Sequence, residues 1–375
     1  MDLPKPSDWL VGAYYFPNFH VDPRMELLHG KGWTEWEALK RAEPKFPGHQ
    51  QPKVPAWGYL DESDPRVFER KIAAAHTAGI THFIFDWYWY EGKPFLERGL
   101  ERGYLHAGNK ADVRFCLMWA NHDWIDNIPA RIAQPNPPAS FAGTYDPARF
   151  EAATDYVISN YFRDPSYLCI DGAPYFSIYM LGQMIDRMGG LDIARTAFDR
   201  FRQKTQSAGF RDLHLNAVAW GAQEIANVRQ VVTLLGVRST TSYTWAHHHA
   251  FPTFPATEYQ VALEHAPDYW NKAPGIFGVP YHPNVSMGWD PSPRTCQSDM
   301  FQQGTYPYTP ILKNNRPELF QQGLIQAKSF VERGGNQPRI ITINAWNEWT
   351  EGSYLEPDSV HGMDYLDAIR KVFRT

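Results

Sequence analysis

The sequence has few cysteines, no long apolar run and no block of basic residues. Three cysteines among 375 residues, without the spacing of a disulfide or metal motif, predict buried or free thiols in a reducing compartment. The first ten residues contain no apolar stretch that could serve a signal peptide, and no apolar run elsewhere is long enough to span a bilayer. We therefore expect a cytoplasmic protein that is not held in a membrane; a periplasmic or secreted protein is the alternative if the natural chain begins earlier.

The sequence lacks the usual signatures for binding several common partners and cofactors. The net charge is −5 without a basic cluster, so neither nucleic acid nor an anionic membrane is expected to bind. The sequence has no Gly-x-Ser-x-Gly elbow, no phosphate-binding loop and no dinucleotide fingerprint. These absences argue against serine-elbow hydrolysis and nucleotide-dependent chemistry, and we expect no cofactor.

Histidines raise the question of a metal site. Three adjacent histidines, 247–249, together with His20, His122 and His282, include residues that bind divalent metals in other proteins. None of them shows the His-Glu-x-x-His spacing or a comparable ligand pattern. A run of adjacent histidines is more often a polar loop, so the sequence predicts no metal.

Apolar segments and amphipathic helices alternate along the whole chain. The predicted strands are 9–16, 81–88, 114–120, 174–180, 213–220, 238–243, 275–280 and 339–345. The predicted helices are 64–79, 93–105, one beginning at 146, 190–208, 223–235, 258–272, 317–333 and 363–373. Eight such repeats predict one α/β domain over 1–375, a single (β/α)8 barrel. An open doubly wound sheet is the alternative, but no glycine-rich turn follows the first strand.

Long connections follow the carboxyl ends of several predicted strands, where barrel enzymes place their active sites. They span 18–63, 121–145, 244–257 and 281–315. Aromatic residues make up 15% of the chain and include 14 tryptophans. Many of them lie at the strand ends beside Asn, His, Asp or Glu, whereas core aromatics would be scattered. This grouping is typical of a carbohydrate-binding cleft.

The stretch 341–358 begins as a strand and continues into two glutamates. Glu348 and Glu351 are flanked by Trp346 and Trp349. Apolar surroundings and a neighbouring carboxylate both raise a carboxyl pKa, so such a pair can divide into a proton donor and a base at neutral pH. A polar loop anchored by core tryptophans is the alternative. The interleaved Trp and Asn at a strand end favour the functional interpretation.

Four segments resemble a known family. They are 12–17 (Gly-Ala-Tyr-Tyr-Phe-Pro) with His20, 30–36 (Gly-Lys-Gly-Trp-Thr-Glu-Trp), 119–121 (Trp-Ala-Asn) and 344–352 (Asn-Ala-Trp-Asn-Glu-Trp-Thr-Glu-Gly). Together they resemble the WbsX-like group, which is often described as glycosyltransferases and is related to glycoside hydrolase family 99. The resemblance covers most of the chain, and the Asn-Glu-Trp-x-Glu-Gly part is its most specific element.

The resemblance implies a metal-independent barrel enzyme with an unusual mechanism. Family 99 enzymes are retaining endo-α-1,2-mannosidases and mannanases. One glutamate of the motif deprotonates the sugar 2-hydroxyl, which attacks C1 and forms a 1,2-anhydro sugar. The second protonates the leaving group and then activates water. By motif position Glu348 is the expected base and Glu351 the expected acid/base, unlike the usual retaining scheme in which a carboxylate attacks C1.

The sequence thus predicts a retaining glycoside hydrolase acting on α-linked oligosaccharides or polysaccharides. The expected substrate-binding residues are Tyr15, His20, Glu35, Trp36, Asp86, Trp119, Asn121, His282, Trp349 and Glu356. A transferase building a surface polysaccharide is one alternative, but the cleft loops carry no Arg/Lys cluster for a donor phosphate. A non-catalytic glycan-binding barrel is the other, and it would be marked by loss of the glutamate pair, which is present.

Overall fold

A computed structural model of the chain describes residues 9–135, 137–143, 145–335 and 338–374. Its centre is a parallel sheet curled into a nearly closed barrel with helices around it, which confirms the predicted fold. The barrel strands are Trp9–Tyr15, His82–Tyr90, Arg114–Trp119, Ala173–Ile178, His214–Val218, Val237–Thr241, the pair Tyr281–His282 and Asn284–Ser286, and Arg339–Asn344. The first eight residues, on which the expected location partly depends, lie outside the described residues.

The barrel closes through an interrupted seventh strand. Tyr281–His282 pairs with the sixth strand, and Asn284–Ser286 pairs with the eighth. Pro283 lies between the two halves and has no amide proton to donate to a strand ladder, and the strand changes its neighbour at this residue. The eighth strand then pairs with Trp9–Tyr15, so the ends of the sheet meet.

Many of the helices begin where the sequence predicts. They span Pro23–His29, Trp36–Lys40, Pro65–Ala78, Pro147–Val157, Leu181–Met188, Leu191–Ser207, Val228–Leu234, Tyr259–Phe277, Pro317–Gly334 and Asp364–Phe373. Asp64 and Asp146 accept backbone N–H groups at helix starts, and proline follows each of them at the first helical position. Within the described residues, no helix combines the length and the apolar character needed to cross a bilayer.

The predicted helix 93–105 is wrong. Lys93–Phe95 instead forms a short strand antiparallel to the second barrel strand, followed by irregular helical turns at Gly99–Gly103 and Tyr104–His106. Gly103 packs closely against the segment that precedes the helix Pro65–Ala78. A Cβ at this position would overlap the carbonyl oxygen of Glu62. The close approach of two backbones, rather than helical periodicity, determines this segment.

The predicted strand 275–280 is also wrong. The helix Tyr259–Phe277 continues through Pro267 and Pro274 and ends at Gly278, which has a φ of 73°. Proline in a helix interior removes a hydrogen bond, so we attribute the persistence of this helix to the packing of its buried face, which includes Leu263, Trp270 and Phe277. The seventh strand begins only at Tyr281.

Candidate active site

A cavity of about 720 Å³ opens at the carboxyl ends of the barrel strands. Its wall includes Asp86 from the second strand and Glu348 and Glu351 from the segment after the eighth. Arg294 and Tyr306 reach it from the long connection after the seventh strand. Chain segments that are distant in sequence therefore supply acids, a cation and phenols to one space.

A tight hairpin presents the two glutamates. Asn347–Glu348 pairs antiparallel with Ser353–Tyr354, and the turn Trp349–Glu351 joins them. Gly352 closes the turn with a φ of 63°, a conformation that glycine adopts without strain. The Asn347 side chain accepts the Phe16 N–H at 2.8 Å and donates to the Phe16 carbonyl at 2.7 Å, which ties the hairpin to the first strand's end.

Arg294 binds three carboxylates at once. Its Nη2 donates to Glu35 Oε1 at 2.9 Å and to Glu348 Oε2 at 3.1 Å, and its Nη1 donates to Glu351 Oε1 at 2.6 Å. Burial by itself would lower the pKa of Arg294, but the surrounding carboxylates raise that pKa well above its usual value. The guanidinium stays charged and orients both motif glutamates.

Tyrosine hydroxyls complete the contacts of the acids. Tyr306 donates to Glu351 Oε1 at 2.7 Å, and the Tyr243 hydroxyl lies 2.9 Å from both Asp86 Oδ2 and Glu348 Oε1. Burial raises the pKa of Asp86 well above its usual range. Burial and, next, the charge of Glu351 do the same for Glu348. The site therefore holds carboxyl groups that bind protons more tightly than free side chains do.

A second buried network supports the hairpin from behind. Lys71 binds Glu356 at 2.6 Å and also binds Glu62, which accepts the Tyr15 hydroxyl at 2.8 Å. The indole N–H of Trp349 donates to Glu356 Oε2 at 2.7 Å. These contacts place one cation between two buried carboxylates and hold the peptide that carries Glu348 and Glu351.

The predicted site residues fall into four groups. Three of them, Asp86, Glu348 and Glu351, line the cavity. Glu35 lies directly behind them, held by Arg294 and by the Asn18 side chain at 2.6 Å. Tyr15, Trp36, Trp349 and Glu356 belong to the buried layer that supports the hairpin and the first loop.

The remaining predicted residues lie away from the cavity wall. Trp119 stacks on Phe150 beneath the helix layer, and Asn121 bonds the backbone of Met180. Burial lowers the pKa of His20 to about 4. Burial, with His214 and His82 nearby, lowers that of His282 to about 3. Both imidazoles are therefore neutral at physiological pH, and the substrate contacts predicted for all four residues remain predictions.

Arg294 and Tyr306 were not foreseen from the sequence. Arg294 is the single arginine in the connection 281–315. A cleft expected to hold several buried acids needs a cation nearby, so this arginine was a detectable signal. Tyr306 carries no comparable mark among the tyrosines of that connection.

The paired carboxyls lie in an aromatic cavity at the strand ends of a parallel barrel, which is where proteins of this fold place their active sites. Residues 11–369 match the family described as Glycosyltransferase WbsX, and the chain belongs to that family. Two curated relatives are the Uncharacterized protein WxcX of Xanthomonas campestris pv. campestris strains B100 and ATCC 33913, each 29% identical. The alignments cover 98% of this chain, which spans about half the length, 50%, of each relative.

Solved structures share the fold. The GH99 endo-alpha-mannosidase from Bacteroides thetaiotaomicron, in complex with BIS-TRIS-Propane, superposes with a TM-score of 0.61 at 13% identity, covering 96% of this chain and 95% of that one. A glycoside hydrolase-like protein superposes with a TM-score of 0.62 at 15% identity, covering 100% and 97%. At these identities the similarity concerns the fold alone.

Proposed function

We propose that this protein is a retaining glycoside hydrolase that cleaves α-linked glycans with help from the sugar's own 2-hydroxyl. The observation that carries the proposal is the placement of Glu348 and Glu351 side by side on one guanidinium in the cavity wall. The barrel shared with the GH99 structures supports it. Because the 2-hydroxyl attacks C1 from behind, the substrate must carry it trans to the leaving group.

In the first step Glu348 acts as the base. Its carboxylate takes the proton of the 2-hydroxyl, O2 forms a bond to C1, and the bond from C1 to the leaving oxygen breaks. Glu351 gives its proton to that oxygen. Arg294 and Tyr306 hold Glu351 Oε1, so its other oxygen is left to face the substrate.

In the second step the roles reverse. Glu351, now a carboxylate, takes a proton from water as the water oxygen bonds to C1. The bond between C1 and O2 breaks, and O2 recovers its proton from Glu348. Two inversions at C1 give net retention, and both glutamates return to their starting protonation.

The family's name raises transfer from a nucleotide sugar as a second candidate. A diphosphate donor needs cations or backbone amides around its phosphates. Among the residues lining the cavity, Arg294 is the one arginine or lysine, and three carboxylates already engage it. The charge of the cavity therefore favours a neutral glycan with water as acceptor.

Incubation with a panel of α-linked oligosaccharides and nucleotide sugars, followed by mass spectrometry, tests the proposal. We expect shortened oligosaccharides, an α-anomer as the first product by proton NMR, and no consumption of nucleotide sugar. Release of nucleoside diphosphate would support the transferase instead. Binding without turnover would indicate a glycan-binding barrel.

Activity is expected to survive chelation. Within the described residues no cluster of three or more His, Cys, Asp or Glu has a geometry that could hold a metal ion. The proposed chemistry uses carboxyl groups throughout. Rates after dialysis against EDTA should match untreated enzyme, and loss of rate restored by Zn²⁺, Ca²⁺ or Mn²⁺ would contradict this prediction.

Two tryptophans at strand ends should respond differently to truncation. Trp119 is fully buried, so Trp119→Ala should cost ~3–5 kcal/mol in the free energy of unfolding. Trp220 lies in the cavity wall, stacked on His247 at 4.5 Å, so Trp220→Ala should weaken oligosaccharide binding by ~1–3 kcal/mol, as found for stacking on aromatics elsewhere. Denaturation measures the stability of both variants, and calorimetry measures their oligosaccharide binding. A larger loss of binding in Trp119→Ala than in Trp220→Ala would contradict these assignments.

A further inference from the structure

The hydroxyl of Tyr243 lies equally close, at 2.9 Å, to two carboxyl groups. It faces Oδ2 of Asp86 and Oε1 of Glu348. A phenol has one hydrogen and can donate it to only one acceptor. Both contacts are hydrogen bonds only if one of the acids carries a proton and donates it to the phenol oxygen.

The surroundings distinguish the two acids. Glu348 Oε2 receives a hydrogen bond from Arg294 at 3.1 Å, so the nearby guanidinium stabilises a negative charge on Glu348. Asp86 is almost fully buried, and within the described residues its Oδ1 has no hydrogen-bond partner at all. Burying an ionised carboxylate there would cost much free energy. A neutral acid leaves only its carbonyl oxygen, a weaker acceptor, without a hydrogen bond.

We propose that Asp86 carries a proton in the resting enzyme, and that the donor chain from Asp86 through Tyr243 to Glu348 keeps Glu348 ionised as the base. This rests on the proposed function. Burial raises the pKa of Asp86, which agrees with a neutral acid at physiological pH. Asp86 is then a positioning residue: it directs the single hydrogen of Tyr243 toward Glu348.

The charge balance of the site favours the same arrangement. The titratable groups around the two acids are Tyr14, Tyr88, Tyr179, Glu35, Glu351 and Arg294. Arg294 is the one cation of this set, and it already faces three carboxylates. With Glu351 neutral as the acid, Glu35 and Glu348 already place two negative charges on this cation, and a third on Asp86 would raise the proton affinity of Glu348 and remove the base.

The variant Asp86→Asn tests the protonation state. Its amide can donate to Tyr243 as the neutral acid does, so kcat/KM should fall by no more than about tenfold and the acid limb of the pH profile should stay in place. If Asp86 works as a carboxylate, the same change should cost ~10²–10⁴-fold, which would overturn the proposal.

Tyr243→Phe breaks the chain. Glu348 then loses a donor to its charged form, so its pKa rises and the acid limb of the pH profile should move to higher pH. Tyr175→Phe is the matched control, because that buried tyrosine stacks on His214 at the start of the fifth strand. An acid limb that stays in place in Tyr243→Phe, or that moves equally in the control, would count against the chain.

Infrared spectroscopy reads the proton without any substrate, so it separates failure of this inference from failure of the proposed function. Protein at neutral pH should show a protonated-carboxyl C=O band. Labelling aspartate side-chain carboxyls with ¹³C should shift the band, and Asp86→Asn should remove it. The protonated Glu351 of the proposed mechanism adds a separate component that responds to glutamate labelling. Absence of an aspartate-sensitive component, or its survival in Asp86→Asn, would overturn the assignment.

Discussion

Glu351→Gln is expected to lower kcat by ~10²–10⁴-fold on an oligosaccharide, and by much less on an aryl glycoside with a good leaving group. A phenolate of low pKa needs little protonation as it departs, so loss of the acid matters less. Steady-state rates on both substrates measure the difference. Glu332→Gln, an exposed glutamate on the helix Pro317–Gly334, is the control and should leave both rates unchanged.

Glu348→Gln should behave differently. The base acts on the 2-hydroxyl, so its loss should cost ~10²–10⁴-fold whatever the leaving group. A 2-deoxy substrate should be inert even with the unaltered enzyme. Equal rescue of both variants by a good leaving group would show that the roles are wrongly assigned, and full activity in either would remove the pair from the mechanism.

The pH profile follows from the same assignment. The pKa of Glu348 is raised by burial and by Glu351, and the base works only when deprotonated. The acid limb should therefore lie well above the ordinary glutamate value of about 4.3. Glu351→Gln keeps an uncharged group beside Glu348, as the protonated acid does, so in that variant, measured with the aryl glycoside, the acid limb should stay in place.

Arg294→Met is expected to destabilise the fold by ~3–5 kcal/mol at neutral pH and to abolish activity. It leaves Glu35, Glu348 and Glu351 buried without their shared cation. Arg294→Lys should restore little of the lost stability or activity. The ammonium group of lysine cannot reproduce the planar guanidinium, whose N–H groups reach all three acids. Urea denaturation of each variant, with kcat/KM in parallel, gives both quantities.

The pH dependence of this loss has a definite sign. Without Arg294, Glu348 binds its proton still more tightly in the folded than in the unfolded state, because the guanidinium opposes the effect of burial on the pKa of Glu348. Stability is then present below the unfolded pKa and lost as pH rises through the folded one, so the deficit should shrink toward acid pH. Arg200→Met, at an exposed ion pair with Glu151, is the control and should leave stability nearly unchanged at any pH. A deficit independent of pH would contradict the charge argument.

Local patterns predicted most of the barrel because the strands and helices repeat with distinct periods. Apolar runs predicted most of the strands, and the Asp-Pro pairs at 64–65 and 146–147 correctly predicted where two helices begin. The errors at 93–105 and 275–280 arose where contacts between distant segments overrode local preference. The periodicity of apolar residues along the sequence cannot predict contacts between distant segments.

The chain order of the strands also placed Asp86, Glu348 and Glu351 at one rim, since parallel strands in a barrel share their carboxyl ends. Which side chains face the cavity was a separate question. Met118 and Ala120 line it while Trp119 between them faces the helices, because strand side chains alternate. That a residue at a strand end is aromatic does not determine whether its side chain faces the cavity or the helices.

The sequence by itself determined the barrel, the rim on which the acids lie and the glutamate pair with its family. Only the tertiary structure decided how those acids are held. Arg294 is 259 residues from Glu35 and 54 from Glu348, and Tyr243 is 157 residues from Asp86. Contacts across such separations arise only after the barrel closes and the long connections fold over its rim. Proton sharing and charge balance at the site are therefore properties of the folded chain.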